Sequence, residues 1–333
     1  MKPLRLFGLV FASSLLASSA HAETDMRDGE ALAHLPNNSL VTLGYFRHVS
    51  ASDSLSFTQN VANFRAVYVT KFGNFAFVPF DAYLPTADVS VYEGGGTVTL
   101  HTSGIGDLTY LPTIAYIVPQ GENHVFFLFN PNFSFPTGNY DKQSLVNVGN
   151  HQWVAKPQIS TGLRFFRALT AEVTGNVSFY SKNNDFVVPA PTATNPLNTT
   201  TTSMQQLRTF GGEIHFGADL TKTFLMGASY YYTANGPKKL TALDARLDQP
   251  TVQSFRFTWG IRLEQNSLLY LQYNQDVFAS HDGPISRWFG VRFSHVFFQA
   301  PAAAEPPPAA SPPAGSPPAG LPPPPESGAT SAR

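Results

Sequence analysis

The sequence predicts an all-β fold, a transmembrane antiparallel up-and-down β-barrel of about 12 strands, and three observations predict it. Segments that alternate apolar and polar residues run for about 10 to 15 residues, whereas strands of soluble sheets usually span roughly 5 or 6. The connections between them alternate between tight and long. After residue 22 no stretch approaches the ~20 apolar residues of a helical span, and the mean hydropathy is only −0.10.

Residues 1–22 precede the fold. Lys2 and Arg5, an apolar run from Leu6 to Leu16 and the ending Ala20-His21-Ala22 form the n-region, h-region and A-x-A pattern of a cleavable secretory signal. Residues 23–38 are polar and expected on the periplasmic side, either lodged in the barrel as a short plug or flexible.

The barrel is expected over residues 39–299, with strands at 39–50, 60–70, 75–84, 106–118, 124–135, 151–165, 169–181, 205–219, 223–233, 251–263, 267–279 and 286–298. In the seventh, Leu169, Ala171, Val173, Val177 and Phe179 oppose Thr170, Glu172, Thr174, Asn176 and Ser178. The eighth sets Phe210, Ile214, Phe216 and Ala218 against Glu213, His215 and Asp219. The tenth alternates Phe255, Phe257, Trp259, Ile261 and Leu263 with Arg256, Thr258, Gly260 and Arg262, and the last sets Phe289, Val291, Phe293 and Phe297 against Gly290, Arg292 and Ser294. A slip of one residue would exchange these faces, so register is strongly specified. Bulky apolar groups belong against lipid and the arginines in a polar lumen, while closure satisfies every backbone N–H and C=O.

Connections 71–74, 119–123, 166–168, 220–222 and 264–266 are tight; 51–59, 85–105, 136–150, 182–204, 234–250 and 280–285 are mostly longer and include loops rich in Gly, Pro, Thr and Asn. With an even strand number and both ends periplasmic, every short turn falls on the periplasmic side and every long loop outside. A secreted β-sandwich explains the alternation but not the strand length or this parity.

Residues 300–333 hold 12 of the 27 prolines and are expected to be extended or disordered. They read as an inert periplasmic spacer, with a tether to peptidoglycan as the alternative. The tail leaves Phe298 well inside the chain, so the outer-membrane assembly machinery would have to recognise an internal strand signal.

Composition and motifs exclude several functions. Net charge is −1 with 13% charged residues, so nucleic acid is not an expected partner. Cysteine is absent, and the nine histidines form no H-E-x-x-H and no paired spacing, so neither a metal site nor a cofactor is expected. No G-x-S-x-G, Walker or dinucleotide motif occurs, and Gly94–Gly96 reads as a flexible loop. His48-Val49-Ser50 and His101-Thr102-Ser103 would suit a barrel lipid hydrolase, but three residues carry little specificity, and an enzyme is not expected.

Inward positions supply the candidate site. Arg65, Lys156, Arg164, Arg256, Arg262 and Arg292 balance Asp81, Asp107, Glu172, Glu213, Asp219 and Asp276. A strongly ion-selective pore would show an excess of one sign, so the balance predicts cross-lumen pairs in a narrow barrel. Tyr180, His215, Tyr231, Gln272 and Asn274 complete the expected lining.

Gly106-Asp107-Leu108, the run Phe135-Pro136-Thr137-Gly138-Asn139-Tyr140-Asp141 and the step Gly149-Asn150-x-x-Trp153 resemble the outer-membrane barrels of the meta-pathway phenol degradation family, and Leu169 to Asp185 continue the likeness. The resemblance spans most of the barrel but not the Pro-rich tail, and implies a channel, in some members linked with breakdown of aromatic compounds. Pro136, Thr137, Gly138, Tyr140 and Asp141 carry over as a motif without a ligand role. Physically, Pro136 ends its strand, Gly138 permits a positive φ, and Asp141 can hydrogen-bond the turn. If the loop enters the lumen, it narrows the pore.

The expectation is thus an outer-membrane protein of a Gram-negative bacterium, in contact with membrane lipid, that admits a small, aromatic or amphipathic solute. A closed structural barrel acting through its loops or tail is the alternative.

Overall fold

The computed structural model describes residues 28–52, 55–93, 97–189, 199–241, 244–264, 266–281 and 283–299. The signal, Gly94–Gly96 and the tail therefore lie outside the described residues. Among the described residues one short helix, α1 (Asp28–His34), precedes the strands. They are β1 (Ser39–Ser52), β2 (Leu55–Phe72), β3 (Phe75–Glu93), β4 (Thr97–Ile105), β5 (Thr109–Tyr110), β6 (Thr113–Gln120), β7 (Asn123–Ser134), β8 (Val154–Phe165) and β9 (Leu169–Tyr180). They continue as β10 (Asn183–Pro189), β11 (Thr199–Gln206), β12 (Thr209–Asp219), β13 (Phe224–Ala234), β14 (Lys238–Leu240), β15 (Ala245–Leu247), β16 (Thr251–Glu264), β17 (Ser267–Ala279) and β18 (Ile285–Gln299).

The strands close into an antiparallel barrel with a wall of 12 strands, because β4, β5 and β6 together form the fourth. That strand is interrupted around Asp107 and at Leu111-Pro112, and its pieces pair with β3. The seam joins the first and last strands, from Ser39 opposite Gln299 to Ser52 opposite Ile285, with one register shift beside Val41. The short turns and the start of β1 lie at one end, which is the periplasmic end of an outer-membrane barrel.

Side-chain direction follows the alternation in β16. Phe255, Phe257 and Trp259 point outward and are exposed, while Arg256 between them is 2% exposed. Outward Phe210, Phe216, Phe289 and Phe293 continue the lipid-facing band.

Several expected loops are sheet instead. β3 runs through Pro85 to Glu93 and returns as β4, where residues 85–105 were expected to be a loop. Pro85 stands opposite the interruption of the fourth strand, where a missing N–H costs least, and Ala87, Val89 and Val91 keep the alternation beyond it. Likewise β1 and β2 extend through most of residues 51–59. β10, β11, β14 and β15 form a separate four-stranded sheet at the loop end, inside segments expected to be irregular. Its core is Phe186, Val188, Met204 and Leu240, and the β-branched run Thr199–Thr202 favours strand.

The lumen is not polar throughout. The inward faces of β1, β2 and β3 are apolar at both ends, because two other parts of the chain pack on them. At the periplasmic end Leu32 of α1 joins Val41, Leu43, Val67, Val69, Ala76, Val78 and Ala115. At the loop end Val146 and Val148, between β7 and β8, join Val49, Ala51, Phe57, Val61, Val89, Val91 and Trp288. α1 is thus a plug, and the loop after β7 folds inward over the mouth.

Candidate functional site: the lumen and its two closures

The inward loop is clasped by Asp107. Its Oδ1 accepts a hydrogen bond from the Gly138 N–H at 2.9 Å and its Oδ2 one from the Asn150 N–H at 2.7 Å. The Leu108 N–H donates to Thr137 Oγ1 at 2.9 Å, and the Asn139 N–H to the Ile105 carbonyl at 2.8 Å. The three sequence elements behind the family resemblance are therefore the two sides of one clasp. β7 ends at Ser134, just before Pro136, and Asp141 Oδ1 accepts the Gln143 N–H at 2.8 Å. Gly138 does not use the positive φ that a glycine permits. Its glycine is needed for close approach, since an added Cβ would lie 2.7 Å from the carbonyl carbon of Gly106 and 2.8 Å from Gly149 Cα.

Tyr140 ties the clasp to the outer sheet. Its hydroxyl donates to the Asp185 carbonyl at 2.9 Å, and its ring stacks on His151 with centroids 4.7 Å apart. Lys142 and His151 both reach the Asp185 carboxylate, and Lys142 chiefly holds that carboxyl below its usual range.

The charges predicted for the lumen fall into distinct groups. Arg65 makes a two-pronged pair with Asp81, Nε to Oδ1 at 2.8 Å and Nη2 to Oδ2 at 2.7 Å, and also donates to the Tyr45 hydroxyl. At the periplasmic end Asp219 accepts from both Arg164 and Arg262 at 2.7 Å, and Arg164 also pairs with Glu30 of the plug. Higher in the barrel Arg256 lies between the rings of Tyr231 and Trp288, at 4.3 and 4.7 Å, and Arg292 between Tyr270 and Tyr45, at 5.1 and 5.3 Å.

The rest fill the wall. His215 lies 3.3 Å from the Glu213 carboxylate and 2.9 Å from Ser229 Oγ. Asp276 accepts from the N–H and hydroxyl of Ser286, Gln272 donates weakly to Thr258 at 3.4 Å, and Tyr180 donates to Thr209 at 3.1 Å. Lys156, Glu172 and Asn274 are buried. The pairs predicted from the balance of charge run along the wall rather than across the lumen. Arg65 and Asp81 lie on the adjacent strands β2 and β3, and Asp219 of β12 reaches Arg164 on β8 and Arg262 on β16, each two strands away.

Sequence reasoning missed Glu30, Tyr45, Tyr270 and Trp288. Trp288 occupies an inward position of β18 by parity with Gly290 and Arg292, so the alternation alone identifies it. Glu30 gives no such signal, because its position depends on the helix entering the barrel. The H-x-S serines lie on β1 and β4. His48 Nδ1 is 2.7 Å from Asn60 Oδ1, and His101 Nε2 is 3.0 Å from Asp88 Oδ2.

Between the plug and the middle of the barrel lies a cavity of about 580 Å³. Val41, Leu43, Val67 and Val78 line it beside Arg65 and Asp81 of the same strands, and Gln158, Arg164, Glu172, Asp219, Leu225 and Leu268 line the rest.

The model of the family described as "Putative MetA-pathway of phenol degradation" matches residues 41–279. No curated protein matches the chain. Among solved structures, an outer membrane channel from Pseudomonas putida F1 is similar at 20% identity and a TM-score of 0.70, covering 83% of this chain and 100% of that one. The translocator domain of the autotransporter NalP from Neisseria meningitidis is similar at 10% identity and a TM-score of 0.47, with 87% and 99% covered. The CymD monoaromatic hydrocarbon channel follows at 8% identity and 0.44, with 86% and 97% covered. The last two are too distant to bear on function.

Proposed function

Because the chain belongs to this phenol-degradation family of outer-membrane β-barrels, we propose that it is a channel for passive uptake of a small aromatic or amphipathic solute. The observation that carries the reading is the cavity, whose lining mixes apolar side chains with charged ones, a combination that suits a flat apolar ring bearing a polar group. Its volume of about 580 Å³ lies within the range of small-molecule sites. The family's description, which names phenol degradation, favours an aromatic solute. The paired lumen charges leave no strong field of one sign, which suits a neutral or weakly charged solute.

Single-channel recording of the refolded barrel in a planar bilayer, with and without phenol or benzoate, tests the proposal. Discrete steps partly blocked by the aromatic are expected. A folded but silent barrel would sink it and favour the second reading, a closed structural barrel. That reading draws on the coverage of both ends, by α1 and by the inward loop.

A further inference from the structure

The plug brings two metal-ligating side chains to one face. Glu30 and His34 are one helical turn apart, with His34 Nε2 3.4 Å from Glu30 Oε1. His124, near the start of β7, meets them from the wall, its ring centroid 5.2 Å from that of His34. The ligand atoms of all three lie within 4.8 Å of one another. Zinc holds imidazole nitrogens and carboxylate oxygens at about 2.0–2.2 Å, so tetrahedral ligands sit roughly 3.3–3.5 Å apart. Glu30 and His34 already have that spacing. His34, with 57% of its side chain exposed, is free to close the remaining gap to His124.

The geometry points to a site for one borderline divalent cation, zinc or a similar first-row ion, formed by Glu30, His34 and His124. Two imidazoles and a carboxylate are the donor set such ions take. Arg164 pairs with the same Glu30 oxygen, Oε1, that faces His34, so a bound ion displaces Arg164 from Oε1 and leaves it on Asp219, its other partner. Glu30 and His34 also line the cavity, so a fourth coordination position is open to a water or solute there. The bound ion joins α1 to β7 and fastens the plug. Sequence spacing conceals the trio, because β1 to β6 separate His34 from His124.

Calorimetric titration of zinc chloride into the purified, tag-free protein in detergent tests the site, using wild type, His34→Gln and His124→Gln. One zinc per chain is expected in wild type, with affinity at least ~10-fold weaker in either variant. His34 is exposed enough to replace without disturbing the wall, so the comparison stands even if the buried His124→Gln fails to fold. No saturable binding to wild type, or equal binding by wild type and His34→Gln, overturns the site. In a bilayer, zinc should lower the conductance of wild type and not of His34→Gln; equal responses overturn the fastening of the plug. Calorimetry needs no conduction, so this site and the channel proposal can fail separately.

Discussion

An alanine at position 138 would place its methyl carbon 2.7 Å from the carbonyl carbon of Gly106, 2.8 Å from Gly149 Cα and 2.9 Å from the Asp107 nitrogen. All three are backbone atoms, so no side chain can swing aside. Gly138→Ala should therefore force the two halves of the clasp apart and cost about 1–3 kcal/mol, read as a lower denaturant midpoint and noisier channel records. An unchanged midpoint would show that the clasp tolerates separation. At this scale the sequence was informative where parity decides. Arg256, Arg262 and Arg292 could be assigned by counting twos along a strand, and Trp288 yields to the same count. The reason for Gly138 could not be read in this way, because a glycine chosen for close approach looks the same as one chosen for a positive φ. Only the contact with Gly106 and Gly149, brought together from distant positions, separates them.

The outer sheet of β10, β11, β14 and β15 contains a buried amine. Lys238 lies on β14 with its Nζ 5.8 Å from the Phe186 ring centroid, and burial lowers its pKa from 10.5 to about 7. The folded sheet thus holds this proton less tightly than the unfolded segment does. Stability should rise with pH from about 7 to about 10.5, with the full penalty present below about 7. Hydrogen exchange of β11 and β14, corrected for its intrinsic pH dependence, should show protection growing over that interval in wild type and flat in Lys238→Met. Equal profiles would mean that Lys238 reaches solvent. The twelve wall segments were legible as elements because long alternation survives local irregularity. The outer sheet was not, since its short strands are framed by proline, asparagine and threonine and depend on docking to the clasp at Tyr140 and Asp185. Pro85 misled for a related reason: its tolerance comes from a break in a neighbouring strand.

For the whole barrel, the parity of turns and loops predicted closure, and β1 pairs with β18 accordingly. The two end closures could not be derived this way, because α1 and the inward loop become apolar partners only once β1 to β3 form one wall. Deleting residues 28–34 should open the periplasmic end and raise conductance severalfold in a barrel that still migrates as folded. Conductance equal to wild type would place the constriction elsewhere, at the inward loop or beside Arg256. The seam has another consequence, in the order of construction. The strand made first waits for the strand made last, and until they meet the growing wall has two bare edges of unpaired backbone. This is the longest loop the chain must close, so sealing is slow, and every earlier stage can pair with a stranger. The register shift beside Val41 lies on the seam itself, so the last pairing to form is also one in which a residue must be skipped.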